Sequence, residues 1–273
     1  MNRSHLKTVF FRVIERMRRP YYQGVAAELA FFFLLSMVPL FFLFGQMLGL
    51  FSLSMDLVNN VLKEYISEEM GKSLREYMNY KPPGTLNLFF VLFALWSASK
   101  AQYSMMQIAN YSYTGMNTGR GFFKEKLRAM LLVVITIVLL GIGLSLLVYT
   151  EPLMRLFDLY VTRVMELPLP VTKVWYTLRW PIGIAIYFFA IGFINYTLPT
   201  KRISIKKIIP GSIFTSAGML IATWIYSYYA SNFSRWNILY GSLGTIIGLL
   251  LWFYILGYVL VVGIVINAVW QEE

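Results

Sequence analysis

Residues 26–51, AAELAFFFLLSMVPLFFLFGQMLGLF, carry one ionisable side chain, Glu28. At ~1.5 Å per residue, a helix of that length exceeds the ~30 Å of hydrocarbon in a bilayer. No soluble core needs so long an apolar run, so the stretch reads as a membrane span. In lipid its backbone must be satisfied from within, which makes it an α-helix. Pro39 removes one interior donor and is expected to kink the helix. Glu28 is a carboxylate at the membrane edge, and it needs a partner.

Five further apolar runs follow, at about 85–111, 129–149, 178–198, 208–230 and 240–270. Hydrophobic residues make up 58% of the 273 and charged residues 14%, too little polar surface for a soluble domain of this size. The expected fold is therefore all-α: a polytopic membrane protein with six transmembrane helices. Residues 1–23 are expected to form a cytoplasmic basic amphipathic segment and 24–273 the membrane domain. Outward-facing amphipathic helices are expected in the loops 52–84 and 150–177. In residues 1–23, Val9, Phe10, Val13, Ile14 and Met17 recur at helical spacing opposite a basic face, a pattern suited to an anionic membrane surface.

Charge sets the orientation. The N-terminal segment has Arg3, Lys7, Arg12, Arg16, Arg18 and Arg19; the second-to-third connection has Arg120, Lys124, Lys126 and Arg128; the fourth-to-fifth has Lys201, Arg202, Lys206 and Lys207. Only Glu15 and Glu125 oppose them, and the other connections are near balance. Both termini are expected on the cytoplasmic side. The excess positive charge thus encodes topology rather than a nucleic-acid surface.

No catalytic constellation is visible. The chain has no cysteine, its single histidine is His5 in the basic tail, and no metalloprotease, P-loop or dinucleotide fingerprint occurs. The expected protein is not an enzyme and takes no cofactor or metal. What remains is polarity inside the membrane, which is costly and so informative. Lys100 lies near the middle of the second span. One reading pairs it with Glu28 on the neighbouring span. Another turns it into a cavity to receive an anionic head group or a proton, and a third has it snorkel. Asn110, Asn195 and Asn267 sit near cytoplasmic helix ends, placed for capping or for interhelical hydrogen bonds. Arg179, Arg235 and Asn237 suit interfacial anchoring or a shared outer basic site. Tyr240, Gly241, Ser242 and Gly244, with Gly248, allow either close helix packing or a gating turn.

Ala26-Ala27-x-Leu29-Ala30-Phe31 running to Leu35-Ser36-x-x-Pro39, Trp96-Ser97-Ala98-Ser99, Asn110-x-x-Tyr113, Arg179-Trp180, Pro210-Gly211, Tyr240-Gly241-Ser242-Leu243-Gly244, and Gly263 with Asn267-Ala268 together resemble the YihY/BrkB family. The resemblance covers nearly the whole chain in order. It implies a six-span protein of the bacterial cytoplasmic membrane and a role in transport or envelope biogenesis, lipid movement included. The resemblance also implies that an older ribonuclease BN label reflects a misassignment. The chain departs from the family pattern in two places: Val265 stands where the last helix usually carries Glu, and Glu28 stands where a small residue is usual. The resemblance therefore suggests a carboxylate moved between neighbouring helices, keeping Lys100, where relatives often have Arg, as its partner.

The expected function is that of a transporter or flippase-like protein for an anionic, amphipathic lipid or envelope precursor. Lys100, Glu28, the glycine turn and the outer helices would line its path. The alternative is a non-transporting scaffold in envelope biogenesis or virulence. Expected partners are anionic membrane lipids and either further copies of the chain or an envelope complex, with no nucleic acid.

Overall fold

The computed structural model describes residues 3–50, 84–115, 121–139, 171–232 and 242–272, and every regular element among them is helical. We number these helices α1 (Arg3–Met17), α2 (Pro20–Leu50), α3 (Gly84–Thr114), α4 (122–139), α5 (Val171–Thr197), α6 (Ile205–Asn232) and α7 (Ser242–Glu272). Expectations for the loop 52–83, for 140–170, and for Arg235, Asn237, Tyr240 and Gly241 fall outside the described residues.

Local chemistry accounts for the boundaries. Pro20, which has no N–H to leave orphaned, opens α2 directly after the turn at Arg18 and Arg19. α3 ends where Gly115 takes φ +72° and its N–H closes on Tyr111 O at 2.9 Å, a left-handed cap that glycine adopts without strain. Ser204 O accepts from Lys207 N at 2.9 Å at the start of α6. α2 runs through position 39 as one helix. α5 begins at Val171, so residues 171–177, expected in an outward loop, belong to this helix. Ser242 is the first residue of α7, and Gly244 lies in its first turn.

α7 is the hub, packing against α6, α2, α3 and α1; α2 also packs on α3, and α5 on α6. The polarity is inside out relative to a soluble protein. Leu88, Phe89, Leu92, Ile213, Ile221 and Trp224 are exposed, whereas Ser97, Gln102, Asn110, Asn195, Ser212, Thr215 and Asn267 are buried. Apolar groups outside and hydrogen-bonding groups inside suit hydrocarbon as the solvent. Among the described residues, Ile205–Ala230 and Ile246–Glu272 are long and apolar enough to cross a membrane, and Pro181–Thr197 is a shorter apolar helix.

The N-terminal helix corrects one expectation. Its apolar residues do not form one membrane-facing stripe: Val9, Val13 and Met17 are buried in the bundle core, while Phe10, 62% exposed, and Ile14 face outward beside Phe11. Positions 10 and 14 lie about 100° around the helix from 9 and 13, so one broad apolar surface serves two neighbours.

Among the described glycines, those at the α6–α7 seam meet the closest neighbours. A Cβ built on Gly211 would lie 2.1 Å from Gly263 O, and one built on Gly263 would lie 1.8 Å from Thr215 Oγ1. On the other side of α7, a Cβ on Gly257 would approach Ala26 O of α2 to 2.9 Å. Small residues let backbones approach this closely where no hydrophobic force separates lipid from protein.

Candidate anion site and the buried polar clusters

α2 and α3 run antiparallel, and ring and hydroxyl contacts define their register. Ser112 Oγ donates to Tyr22 Oη at 3.4 Å, Ser104 Oγ donates to Glu28 Oε1 at 2.5 Å, and Phe32 meets Trp96 with ring centroids 6.2 Å apart. The partner of Glu28 is therefore a hydroxyl on the facing helix, and no ion pair joins Glu28 to Lys100 among the described residues. Glu28 also lies close enough to Tyr21 for its charge to add to burial in raising that phenol's pKa.

Lys100 sits one turn deeper than Ser104, about 14 residues or ~21 Å from the α3 end at Thr114. The cation nearby is Lys126 of α4. Its Nζ is shielded from solvent, has no hydrogen-bond partner among the described residues, and stands 5.8 Å from the centre of the Tyr103 ring. Phe122 packs edge-on against the same ring at 6.0 Å, which fixes α4 beside this face of α3. Burial, and then the positive charge of Lys100, push the Lys126 pKa below its ordinary value. Lys126 thus has a ring at its side and a second ammonium close enough for its charge to be felt, and no carboxylate pairs with it among the described residues. Like charges so placed repel unless an anion joins them.

The three asparagines lie elsewhere and are not brought to Lys100. Asn110 Oδ1 accepts from Thr200 N at 2.7 Å, reaching from α3 to the turn after α5. Arg128 reaches the same turn, donating to Pro199 O at 3.0 Å and to Thr197 O, while Thr200 Oγ1 donates to the buried Glu125 at 2.9 Å. Asn195 Nδ2 donates to Ser212 Oγ at 3.1 Å, and Asn267 Oδ1 accepts from Gly211 N at 2.7 Å. Gly211 follows Pro210, where a proline loosens the helix ladder, so Asn267 supplies an acceptor at a weak point of α6. Arg179 lies within α5, away from these clusters in sequence.

The basic segments are gathered at one end of the bundle. Arg16 donates to Ser112 O and to both carboxylate oxygens of Glu272, Arg128 holds the 197–200 turn, and Lys207 Nζ donates to Gln271 O at 2.8 Å. In the sequence, Arg16, Lys126 and Arg128 read only as topology charges. Their roles arise from packing between distant segments; the one local hint was Lys126 itself, a cation three residues before an apolar run.

The suggested exchange of a carboxylate between position 265 and Glu28 does not fit the register. Gly257 packs on Ala26, and Phe33 lies 6.0 Å from Phe253, so α2 and α7 are antiparallel. Val265, fully buried, lies ~12 Å beyond Gly257 toward the basic end, level with the α1–α2 turn. An acid there would stand well away from Glu28.

The profile described as virulence factor BrkB matches residues 13–273. The putative ribonuclease-like protein YfkH of Bacillus subtilis (strain 168) is 30% identical over 255 residues, covering 92% of this chain and 90% of that protein. The UPF0761 membrane protein PSHAa0171 of Pseudoalteromonas translucida (strain TAC 125) is 33% identical over 95 residues, covering 34% of this chain and 30% of that protein. No solved structure matches the chain. A match over all but the first turns of the chain, together with an inside-out helical bundle, makes this protein a member of the BrkB family of membrane proteins.

Proposed function

We propose that this protein takes up an anionic, amphipathic lipid or envelope precursor at the Lys100–Lys126 pair and moves it across the bacterial cytoplasmic membrane. One observation supports the reading: a shielded Lys126 ammonium, without a hydrogen-bond partner among the described residues, that feels the charge of a second lysine. Charge inside a membrane bundle is expensive and marks substrate paths and counter-ion sites. A phosphate or carboxylate head group would supply the missing counter-ion, and the acyl chains would remain against the apolar outer surface of α3 and α4. Glu28, held by Ser104, borders the site and opposes entry of a second anion. In this reading the chain crosses the bilayer six times with both termini cytoplasmic, which the gathering of the basic segments at one end supports. Arg179, Arg235, Asn237 and the Tyr240–Gly244 turn would serve the opposite end of the path. The protein would act as a carrier and not as an enzyme.

Purified protein in liposomes containing labelled phosphatidylglycerol tests this. Transbilayer movement is expected in the wild type and is expected to fall at least tenfold in Lys126→Ala and in Lys100→Ala; a charge-assisted contact of ~1.5–3 kcal/mol corresponds to roughly that factor. A protein that binds envelope partners but leaves the lipid where it was would favour the scaffold reading.

The pH dependence follows from the depressed Lys126 pKa. An anion needs the charged lysine, so binding raises that pKa, and apparent affinity should decline as pH rises through the depressed value, below the ordinary 10.5. Lys126→Arg, which keeps its charge, should shift this loss to higher pH. Titration of phosphatidylglycerol binding in nanodiscs checks both outcomes.

A further inference from the structure

A cavity of about 380 Å³ opens where α1, the start of α2, the end of α3 and the end of α7 meet, apart from the Lys100–Lys126 pair. Arg16, Arg19, Tyr22, Ser112, Tyr113 and Glu272 are among its lining residues. Its volume lies in the range of small-ligand sites.

The charges in it are unequal. Glu272 is engaged by Arg16, whose Nη2 reaches its two carboxylate oxygens at 2.5 and 2.6 Å. Arg16 Nη1 also donates to Ser112 O at 3.2 Å, so this guanidinium is held by two elements at once. Arg19 lines the same cavity, is exposed, and has no counter-ion among the described residues. The carbonyl end of α3 would repel an anion. That repulsion is reduced here, because Ser112 O is taken by Arg16 and Tyr111 O by the Gly115 N–H. Burial pushes the Tyr113 phenol pKa up, which keeps its hydroxyl protonated and able to donate.

We propose that this cavity is a phosphate-binding site, with Arg19 as the open guanidinium, Arg16 as the oriented one and the hydroxyls of Tyr22 and Tyr113 as neutral donors. A guanidinium presents paired N–H groups that match phosphate oxygens, and the Arg16–Glu272 pair fixes the wall against which the ligand would rest. The phosphate could be borne by a lipid head group or be free in solution; the chemistry that recognises it is the same.

The full chain in phosphatidylcholine nanodiscs, titrated with inorganic phosphate and followed by thermal shift, tests the free-phosphate source. Nanodiscs containing phosphatidylglycerol and no added phosphate test the head-group source. Both arms are repeated in Lys126→Ala, which removes the other anion site. In that background, stabilisation by one ligand or the other is expected, and Arg19→Ala is expected to raise its apparent Kd at least tenfold. Arg19→Lys should lose less, since it keeps the charge and forfeits the paired donors. Arg19 is exposed, so its truncation should leave the circular dichroism spectrum unchanged. If neither ligand stabilises the protein, or if Arg19→Ala responds as the wild type does in both arms, the proposal is overturned. Loss of lipid movement in Lys126→Ala with phosphate binding intact would separate this site from the transport path.

Discussion

Gly211→Ala is expected to destroy the α6–α7 seam. The new methyl would sit 2.1 Å from Gly263 O and 2.4 Å from Asn267 Oδ1, well inside van der Waals contact. The first of these is backbone and has no rotamer by which to withdraw, so the helices must separate. Separation breaks the Gly211 N to Asn267 Oδ1 bond and leaves both groups buried without partners. Overpacking costs typically ~1–3 kcal/mol, and an unmatched buried polar group adds ~1–3 kcal/mol. A combined loss of about 3 kcal/mol or more should lower the thermal midpoint in detergent by on the order of 10 °C. Gly263→Ala provides the informative companion. Its methyl would lie 1.8 Å from Thr215 Oγ1 but 3.0 Å from Gly211 O, so the main obstacle is a side chain. Adding Thr215→Ala should therefore recover part of the Gly263→Ala loss and none of the Gly211→Ala loss. Gly24→Ala meets nothing within 4 Å and, lying in α2, should leave stability unchanged or raise it slightly. Equal midpoints for Gly24→Ala and Gly211→Ala would show that the seam is not packed as described.

Arg128→Ala is the second large effect. Its guanidinium donates to Thr197 O and to Pro199 O, and it reaches Thr200 Oγ1 at 3.5 Å. Thr200 is bound in turn to Asn110 and to Glu125, a carboxylate only 3% exposed. Three segments far apart in sequence, the end of α3, the start of α4 and the α5–α6 turn, are held through this one side chain. Charge-assisted bonds contribute ~1.5–3 kcal/mol each, so truncation should cost about 3 kcal/mol and free the 198–204 connection. Limited proteolysis reads this directly: Arg128→Ala should be cut in that connection much faster than wild type, while the other described segments keep their rates. Arg128→Lys should fall between the two, because one ammonium cannot span several acceptors set in a fork. Cleavage at the wild-type rate in both variants would mean that Asn110 and Glu125 hold the turn without it.

The register of α2 on α3 explains why the simplest pairing of intramembrane charges fails. Glu28 and Lys100 are on neighbouring helices, and their depths are close enough to suggest an ion pair. Depth alone does not decide contact: Lys100 lies four residues from Ser104, on the same face of α3, but the Ser104 hydroxyl is the group that takes the carboxylate. Ser104, one turn nearer the basic end, takes the Glu28 carboxylate, and the charge of Lys100 is felt by Lys126 on α4. A shielded lysine with a like charge near it, and no carboxylate bound to it among the described residues, is what separates the site from a structural ion pair. It depends on where α4 packs, and the contact of Phe122 with Tyr103 settles this.

Length, hydropathy and the placement of Lys and Arg were enough to determine a helical protein of the membrane, the existence and order of its described helices though not all their starts (α2, α4 and α5 begin six or seven residues earlier than the apolar runs), and which segments share the basic end. Those properties are local: the bilayer acts as a solvent on each segment separately, and proline and glycine act on the bonds beside them. The tertiary structure alone decided that α7 is the hub, that Val9, Val13 and Met17 turn inward while Phe10 stays outside, and that Ser104 rather than Lys100 holds Glu28. Each of these depends on the rotation of one helix against another, which hydropathy averaged along a segment does not contain, and which close contacts such as Gly211 on Gly263 impose.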